Sequence, residues 1–544
     1  MKQPLLYTLL TLFLFSCTQK QQVDLLVINA TVYTVNENFD QAEAFAVKNG
    51  KIVETGTEKD LLQKYQATET YNAQGKTILP GFIDGHAHFY GLGLNQQVVD
   101  LVGAKSFDDV ISRVVAFQQM HQKTFIDGRG WDQNLWETKE FPTKEKLDSL
   151  FPNTPVALTR IDGHAYLVNQ KALDLAGITA ATKMDGGEVV LKDGKLTGIL
   201  IDNPMELVRA IKPEITTAEA IQALQDAQQI CFSYGLTTVN DAGLDKDIIQ
   251  LIDSLQQANQ LDIRLYAMIS NTPENVDYYL EKGIIKTDKL NVRSVKVYGD
   301  GALGSRGACL KKSYSDQHNH FGALVTSVED IKILAERLVK SELQMNTHAI
   351  GDSANAVVLR TYSEVLNGQK DRRWKVEHAQ VIAQEDFDFF SDKNIIPSVQ
   401  STHATSDMYW AEDRVGAERI KGAYAYKNLL EKSGIIVLGT DFPVEHVSPF
   451  YTFYASVARK DLNHFPTGGF QSENALSRKQ TLKAMTLWAA YSNFEENEKG
   501  SIETGKFADF IILDKDIMTV EEDQIPNVQV EATFLGGKKV YQKQ

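Results

Sequence analysis

The sequence predicts an α/β protein: a closed (β/α)8 TIM barrel, a small composite β-sandwich made from both ends of the chain, and a lid inserted between the first and second barrel strands. Three observations lead there. Short apolar strands alternate with helical periodicity through the middle of the chain, the pattern of parallel βα units. Eight such strands can be counted. Strand material of a hairpin-forming kind opens the chain and returns at its end.

The elements follow in order. Asp24 to Val35 and Ala44 to Val53 are rich in Val, Ile and Tyr, and Asn49-Gly50 between Val47 and Ile52 is a type I′ hairpin signal. Phe82 to His88 is the first barrel strand. Residues 92–215 then interrupt the pattern, too long a stretch for a plain loop. They carry a helix near 106–120, a strand at Val156 to Arg160 and a hairpin around Asp193-Gly194. The remaining strands are Leu236 to Asp241, Leu265 to Ile269, Val292 to Tyr298, Leu343 to His348, Lys375 to His378, Ile395 to Gln400 and Ile435 to Asp441. Helical stretches such as Ala218 to Phe232 and Ser353 to Leu366 separate them. Ala508 to Leu513 and Ala532 to Val540, with Gly536-Gly537 as a turn, return to the β unit. The expected division is 24–80 and 496–544 for the β unit and 81–495 for the barrel.

Composition excludes several classes. At 544 residues, 43% hydrophobic and 23% charged, the chain is neither disordered nor a coiled coil. A net charge of −15 argues against a nucleic-acid partner. Three cysteines without a Cys-x-x-Cys spacing exclude a disulfide scaffold and a zinc finger. Lys2 precedes an apolar run from Leu5 to Phe15, too short to span a membrane, where about 20 residues are needed. It ends at Leu14-Phe15-Ser16-Cys17 and resembles a bacterial lipoprotein signal over residues 1–16. That resemblance implies a lipidated Cys17, a membrane-anchored protein of the cell envelope, and a periplasm-facing body. The other reading is a secretory signal cut near Ser16.

Residues able to bind metal fall at the C-terminal ends of the barrel strands, where barrel active sites lie. His86 and His88 are two apart on one strand and share a face. His348 ends the fifth strand, His378 the sixth and Asp441 the eighth. Lys296 lies inside the fourth, its neighbours Val295 and Val297 pointing the other way, so its ammonium faces the interior at a desolvation cost. Singly, each has a structural explanation. A lone histidine is usually hydrogen-bonded core, and an interior lysine usually pairs with a carboxylate such as Asp84 or Asp300. Their joint placement, in this order on five strands, is what points to a metal centre.

These segments resemble the amidohydrolase superfamily, in its amidohydrolase-3 branch of metal-dependent hydrolases. The matching motifs are Leu79 to His88 (LPGFIDGHAH), Val295 to Arg306 (VKVYGDGALGSR), Thr347 to Asp352 (THAIGD), Glu377 to Gln380 (EHAQ), Gly439 to Pro443 (GTDFP) and Gly500 to Asp509 (GSIETGKFAD). The resemblance implies a divalent metal centre, with two zinc ions as the expected occupants. His86 and His88 would hold one ion and His348 and His378 the second. Lys296, N6-carboxylated, would bridge them, and Asp441 would bind metal and move protons. The alternative is a single metal with an unmodified lysine. Gly130-Trp131-Asp132, Asp162-Gly163-His164 and Gly304-Ser305-Arg306 resemble recurrent sequences near the pocket. Trp131 would stack on a planar or apolar group, His164 would bond a carbonyl oxygen or the tetrahedral intermediate, and Arg306 would receive a carboxylate. The structural readings are lid core for Trp131, a capping interaction for His164 and a surface salt bridge for Arg306. His403 and His446, after the seventh and eighth strands, are rim positions.

The activity implied is hydrolysis of a small-molecule carbon–nitrogen bond other than a peptide bond. The metal would lower the pKa of water from 15.7 to about 7 and polarise the carbonyl, and Asp441 would pass the proton to the leaving nitrogen. Rival readings are a lactone, ester or phosphoester hydrolase on the same site, and a membrane-anchored binding protein that keeps the fold without catalysis.

Overall fold

Eight parallel strands form the barrel of the computed structural model, which describes residues 20–544. The leader segment and Cys17 lie outside the described residues. The strands are β1 (Phe82–Ala87), β2 (Leu236–Leu244), β3 (Arg264–Ser270), β4 (Leu290–Tyr298), β5 (Gln344–Ala349), β6 (Trp374–His378), β7 (Ile395–Val399) and β8 (Val437–Leu438). They pair in sequence order from β1 to β8. Helices fill the connections and bury their apolar faces against the strands. Helix Thr217–Ser233 starts at a capping box in which Thr216 and Glu219 exchange side-chain and backbone bonds. It buries Leu224, Ala227, Cys231 and Phe232.

The ring closes without a regular ladder between β8 and β1. The sequence predicts β8 to run to Asp441, but its strand pairing stops at Leu438. From there the backbone turns toward β1. Gly439 N–H donates to Val399 O (3.0 Å), Asp441 N–H to His86 O (2.8 Å), and His88 N–H to Phe442 O (2.8 Å). Asp84 completes the seam, accepting from Thr440 Oγ1 (2.7 Å) and Thr440 N (3.1 Å). Burial pushes the Asp84 carboxyl up to about 7, against those bonds. A Cβ on Gly439 would come within 2.5 Å of His86 N and 2.6 Å of His86 O, so only glycine allows this approach.

Two sheets pack on a common core, one built from N-terminal strands alone and the other from N-terminal and C-terminal strands together. One sheet orders Lys51–Gly56, Ala44–Lys48, Gln21–Ile28 and Tyr65–Asn72. The other joins Thr31–Tyr33 and Thr77–Pro80 to Phe510–Leu513, Val530–Leu535 and Lys538–Gln542. The predicted single strand Asp24 to Val35 is thus split between the sheets. The hairpin at Asn49-Gly50 has both residues at positive φ (52° and 75°), as type I′ requires. Phe45 of one sheet meets Phe510 of the other edge-on at 4.9 Å. A buried fork from Arg264 to Asp509 (2.6 and 2.9 Å) ties β3 to the C-terminal segment.

Between β1 and β2 lies a six-stranded mixed sheet, from Val99–Asp100 to Lys195–Asp202, with its own core around Trp131, Trp136, Leu158 and Ile199. Helix Phe107–His121, strand Val156–Arg160 and the hairpin at Asp193-Gly194 fall where the sequence predicts them. No helix among the described residues is long and apolar enough to cross a membrane.

Candidate metal centre and substrate cavity

A cavity of about 1080 Å³ opens at the C-terminal ends of the strands. Register places its polar floor: Tyr298 of β4 pairs with His348 of β5, His348 with Glu377 of β6, and Ala349 with His378. His88, Lys296, His348, His378 and Asp441 line it. His86 lies directly behind, fully buried. His378 and Asp441 have positive φ (70° and 61°), which turns each side chain inward at a strand end where simple alternation points it elsewhere.

Three imidazoles are held in one orientation by the same device. His86 Nδ1–H donates to Glu377 Oε2 (2.7 Å), His88 Nδ1–H to the Ala242 carbonyl (3.0 Å), and His378 Nδ1–H to Gln400 Oε1 (2.7 Å). Each Nε2 is left as a lone-pair donor, the arrangement that orients histidine ligands on a metal. Asp441 Oδ1 lies 3.2 Å from His88 Nε2 and 3.6 Å from His86 Nε2. His403 Nε2 lies 3.7 Å from Asp441 Oδ2. Two donor groups result, His86–His88–Asp441 and His378–His403–Asp441, each with ligand atoms within 4.8 Å of one another. His348 packs against His378 (ring centroids 4.4 Å apart), its Nε2 3.6 Å from Asp300 Oδ1. His348 Nε2, His403 Nε2 and Asp441 Oδ1 are buried and find no hydrogen-bond partner among the described residues. Buried polar atoms without partners are rare; His403 Nε2 and Asp441 Oδ1 fall within the donor groups, whose N and O atoms suit a divalent ion, so the residues present fit a metal.

The electrostatics agree. Burial lowers His348 and His378 well below the ordinary histidine value, with neighbouring cations adding to it, and lowers His86 for the same reasons. All three are therefore neutral near pH 7, the form that binds metal. Burial opposes the charge of Asp441, but the surrounding imidazoles, His88 first among them, hold its carboxyl well below the usual range. Lys296 Nζ lies 3.0 Å from His86 Nε2, and burial pushes its amine down to about 8.

Of the substrate contacts expected from sequence, the structure brings one to the cavity. His164 lines it, 5.2 Å ring to ring from His348, with Nδ1–H donating to Asp202 Oδ1 at 2.6 Å. Trp131 does not reach it. Its Nε1–H donates to Leu158 O (2.8 Å), and the ring is buried beside Trp136 and Phe141. The cause is a bulge between Arg129 and Trp131, with Gly130 at φ 116°, which breaks the strand's alternation and turns Trp131 into the core of the inserted sheet. Arg306 takes the salt bridge that was its other reading. It forks onto Asp316 (2.9 and 3.3 Å), away from the cavity lining.

Other residues were not visible as site residues from sequence. His403 joins a donor group rather than the rim, because the short helix after β7 turns it back over His378, the rings stacked at 6.0 Å. Glu377 sits beside His378 in the motif but faces the interior with Lys375, as alternation from Lys375 would have indicated. Arg160, fully buried, is neutralised by Asp132 and Asp162.

A parallel barrel carrying its nitrogen and carboxylate ligands at the strand ends defines a metal-dependent hydrolase. Residues 69–541 match the amidohydrolase family, and the chain belongs to that family. It is 33% identical to "Protein LONG AFTER FAR-RED 3" of Arabidopsis thaliana, over 95% of this chain and 91% of that protein. It is 30% identical to "Putative amidohydrolase YtcJ" of Bacillus subtilis, over 94% and 98% of the two chains. An N-substituted formamide deformylase of Arthrobacter pascens is 25% identical over 96% and 99%. Among solved structures, an uncharacterised metal-dependent hydrolase from Pyrococcus horikoshii superposes with a TM-score of 0.75 at 27% identity, over 92% of this chain and 99% of that one.

Proposed function

We propose that this enzyme hydrolyses a non-peptide carbon–nitrogen bond, of amide, N-acyl or N-formyl type, in a small molecule. The observation that carries it is the gathering of His88, His348, His378, His403, Lys296 and Asp441 on one cavity floor with His86 directly behind, three of the imidazoles having Nε2 lone pairs preset by their Nδ1 bonds. The similarity to a formamide deformylase supports the choice of bond. His86 and His88 would hold one ion, His378 with His348 or His403 a second, and Asp441 both; zinc suits imidazole and carboxylate donors. Lys296, its neutral amine adding carbon dioxide and releasing a proton, would become an anionic carbamate between them.

When bound, the metal centre supplies an activated water and polarises a carbonyl. The chain's own residues do the rest. Asp441 accepts a proton from the nucleophile and delivers it to the leaving nitrogen. His164, held by Asp202, points a second nitrogen into the cavity toward the carbonyl oxygen. The inserted sheet, which lends Gly130, Asp132, Arg160 and His164 to the cavity wall, serves as the lid that keeps bulk water out. Outside the described residues, the lipoprotein-like leader supports anchoring through Cys17 at the cell envelope.

The test is elemental analysis of the purified enzyme together with a panel of N-formyl and N-acyl amines and matched esters and lactones. About two divalent ions per chain and preferential turnover of the C–N substrates are expected. Turnover of esters or lactones alone would replace this reading with an esterase or lactonase on the same site.

A further inference from the structure

Arg129 is an arginine of the cavity wall without an ion-pair partner among the described residues. It lies in the inserted strand Ile126–Trp131, and its guanidinium lines the cavity beside Ile161 and Asp162. Its one hydrogen bond among the described residues runs from Nη2 to the Ile161 carbonyl (2.9 Å). Among the described residues Nε is buried with no partner, and no carboxylate comes within ion-pair distance. The cavity's carboxylates are engaged elsewhere. Asp132 and Asp162 bond to Arg160, Asp407 to Tyr424 (2.8 Å), and Glu445 to Ser406 (2.6 Å). The contrast with Arg160 is direct: two arginines share one wall, and one of them is neutralised by two aspartates while the other is left with free donors. Burial lowers the Arg129 guanidinium from its ordinary value, with Asp162 and Asp441 partly opposing. Gly163 passes close by, and a Cβ there would lie 3.3 Å from Arg129 Nη1, so the turn leaves the fork room.

An arginine fork with free N–H donors in a partly desolvated wall matches a carboxylate in two-point geometry. The bulge at Gly130 that takes Trp131 away from the cavity leaves Arg129 facing it. We infer that the substrate carries an anionic group, a carboxylate, received by Arg129 while its scissile bond lies over the donor groups of Asp441. The placing of the scissile bond rests on the hydrolase reading; the anion subsite is a property of Arg129 itself.

The experiment measures binding and turnover separately, on the full metal-loaded chain. Its probes are N-formyl and N-acyl amino acids, each paired with its neutral C-terminal amide, titrated calorimetrically. The acid of at least one pair is expected to bind about tenfold to a hundredfold more tightly than the amide. Arg129→Met should reduce that preference to within about twofold while keeping the parental metal content. Arg129→Lys, which keeps charge but loses the fork, should fall between them and covers the case in which Arg129→Met fails to fold. Arg306→Met, outside the cavity, should leave the preference unchanged. If no acid binds better than its amide, or if the preference survives in Arg129→Met because the metals take the carboxylate, the inference is overturned. Arg129-dependent binding without hydrolysis of any probe would uphold the subsite and count against the hydrolytic reading. Hydrolysis without acid preference would do the reverse.

Discussion

Asp441 faces imidazoles from two elements: His86 and His88 from β1 and its end, and His403 from the helix after β7. Asp441→Asn keeps the shape and one coordinating oxygen, so metal content should largely persist. The amide cannot take up and release a proton, so turnover should fall by about 10² to 10⁴, more for amides than for activated esters. Amide hydrolysis at the parental rate would mean that another group, His164 foremost, moves the proton. Glu377 acts one step further out. Removing it frees His86 Nδ1, and Glu377→Ala should weaken metal affinity about tenfold to a hundredfold in chelator competition. Unchanged affinity would remove Glu377 from any role in presenting His86. The two second-ion readings also separate here. His403→Ala and His348→Ala, compared by metal stoichiometry and by the absorption spectrum of cobalt-substituted protein, should each lose one ion if both are ligands. A full complement in His403→Ala would restrict the set to the residues the sequence motifs suggest.

At the scale of elements, the vulnerable place is the seam between β8 and β1. It is held by a few backbone bonds and the Asp84–Thr440 pair rather than by a ladder. Gly439→Ala forces a methyl against the His86 backbone. Overpacking of this kind costs about 1–3 kcal/mol, and here it also displaces a ligand-bearing strand. Denaturant melts should show that loss, accompanied by reduced metal content. A stable, fully loaded variant would mean that the seam relaxes without moving His86. The inserted sheet shows the opposite economy. One bulge at Gly130 decides which of Arg129 and Trp131 meets the cavity.

For the whole molecule, the β unit and the barrel are coupled by charge as well as by apolar packing. Arg264 of β3 and Asp509 are each about 5% exposed, and their pairing spans the junction. Asp509→Ala leaves a buried guanidinium without its partner, which costs about 3–5 kcal/mol. The expected outcome is a lower unfolding midpoint, with unaltered kinetics in the fraction that folds. A midpoint equal to the parent would show that Arg264 finds water at the junction. The proposed anchoring through Cys17 is tested at the same scale. Cys17→Ser should move the protein from the membrane to the soluble fraction on cell fractionation; continued membrane association would exclude Cys17 as the anchor.

The order of the eight strands and the positions of His86, His88, His348, His378, Lys296 and Asp441 near their ends were legible in the sequence. Alternation and apolar runs report strand placement locally, and a parallel barrel collects strand ends on one face. The hairpin at Asn49-Gly50 was legible for a similar reason, since two consecutive positive φ values are a local demand. What the tertiary structure decided was orientation beyond the strands. The positive φ at His378 and Asp441, the bulge at Gly130, and the turn that brings His403 over His378 have no periodic signature. Whether an arginine is paired depends on carboxylates far away in the chain or across a turn. Arg306 meets Asp316 and Arg160 meets two aspartates, while Arg129 meets none. Such pairings depend on distance in space, which strand periodicity does not encode, and they separate a residue that faces a substrate from one that holds the wall in place.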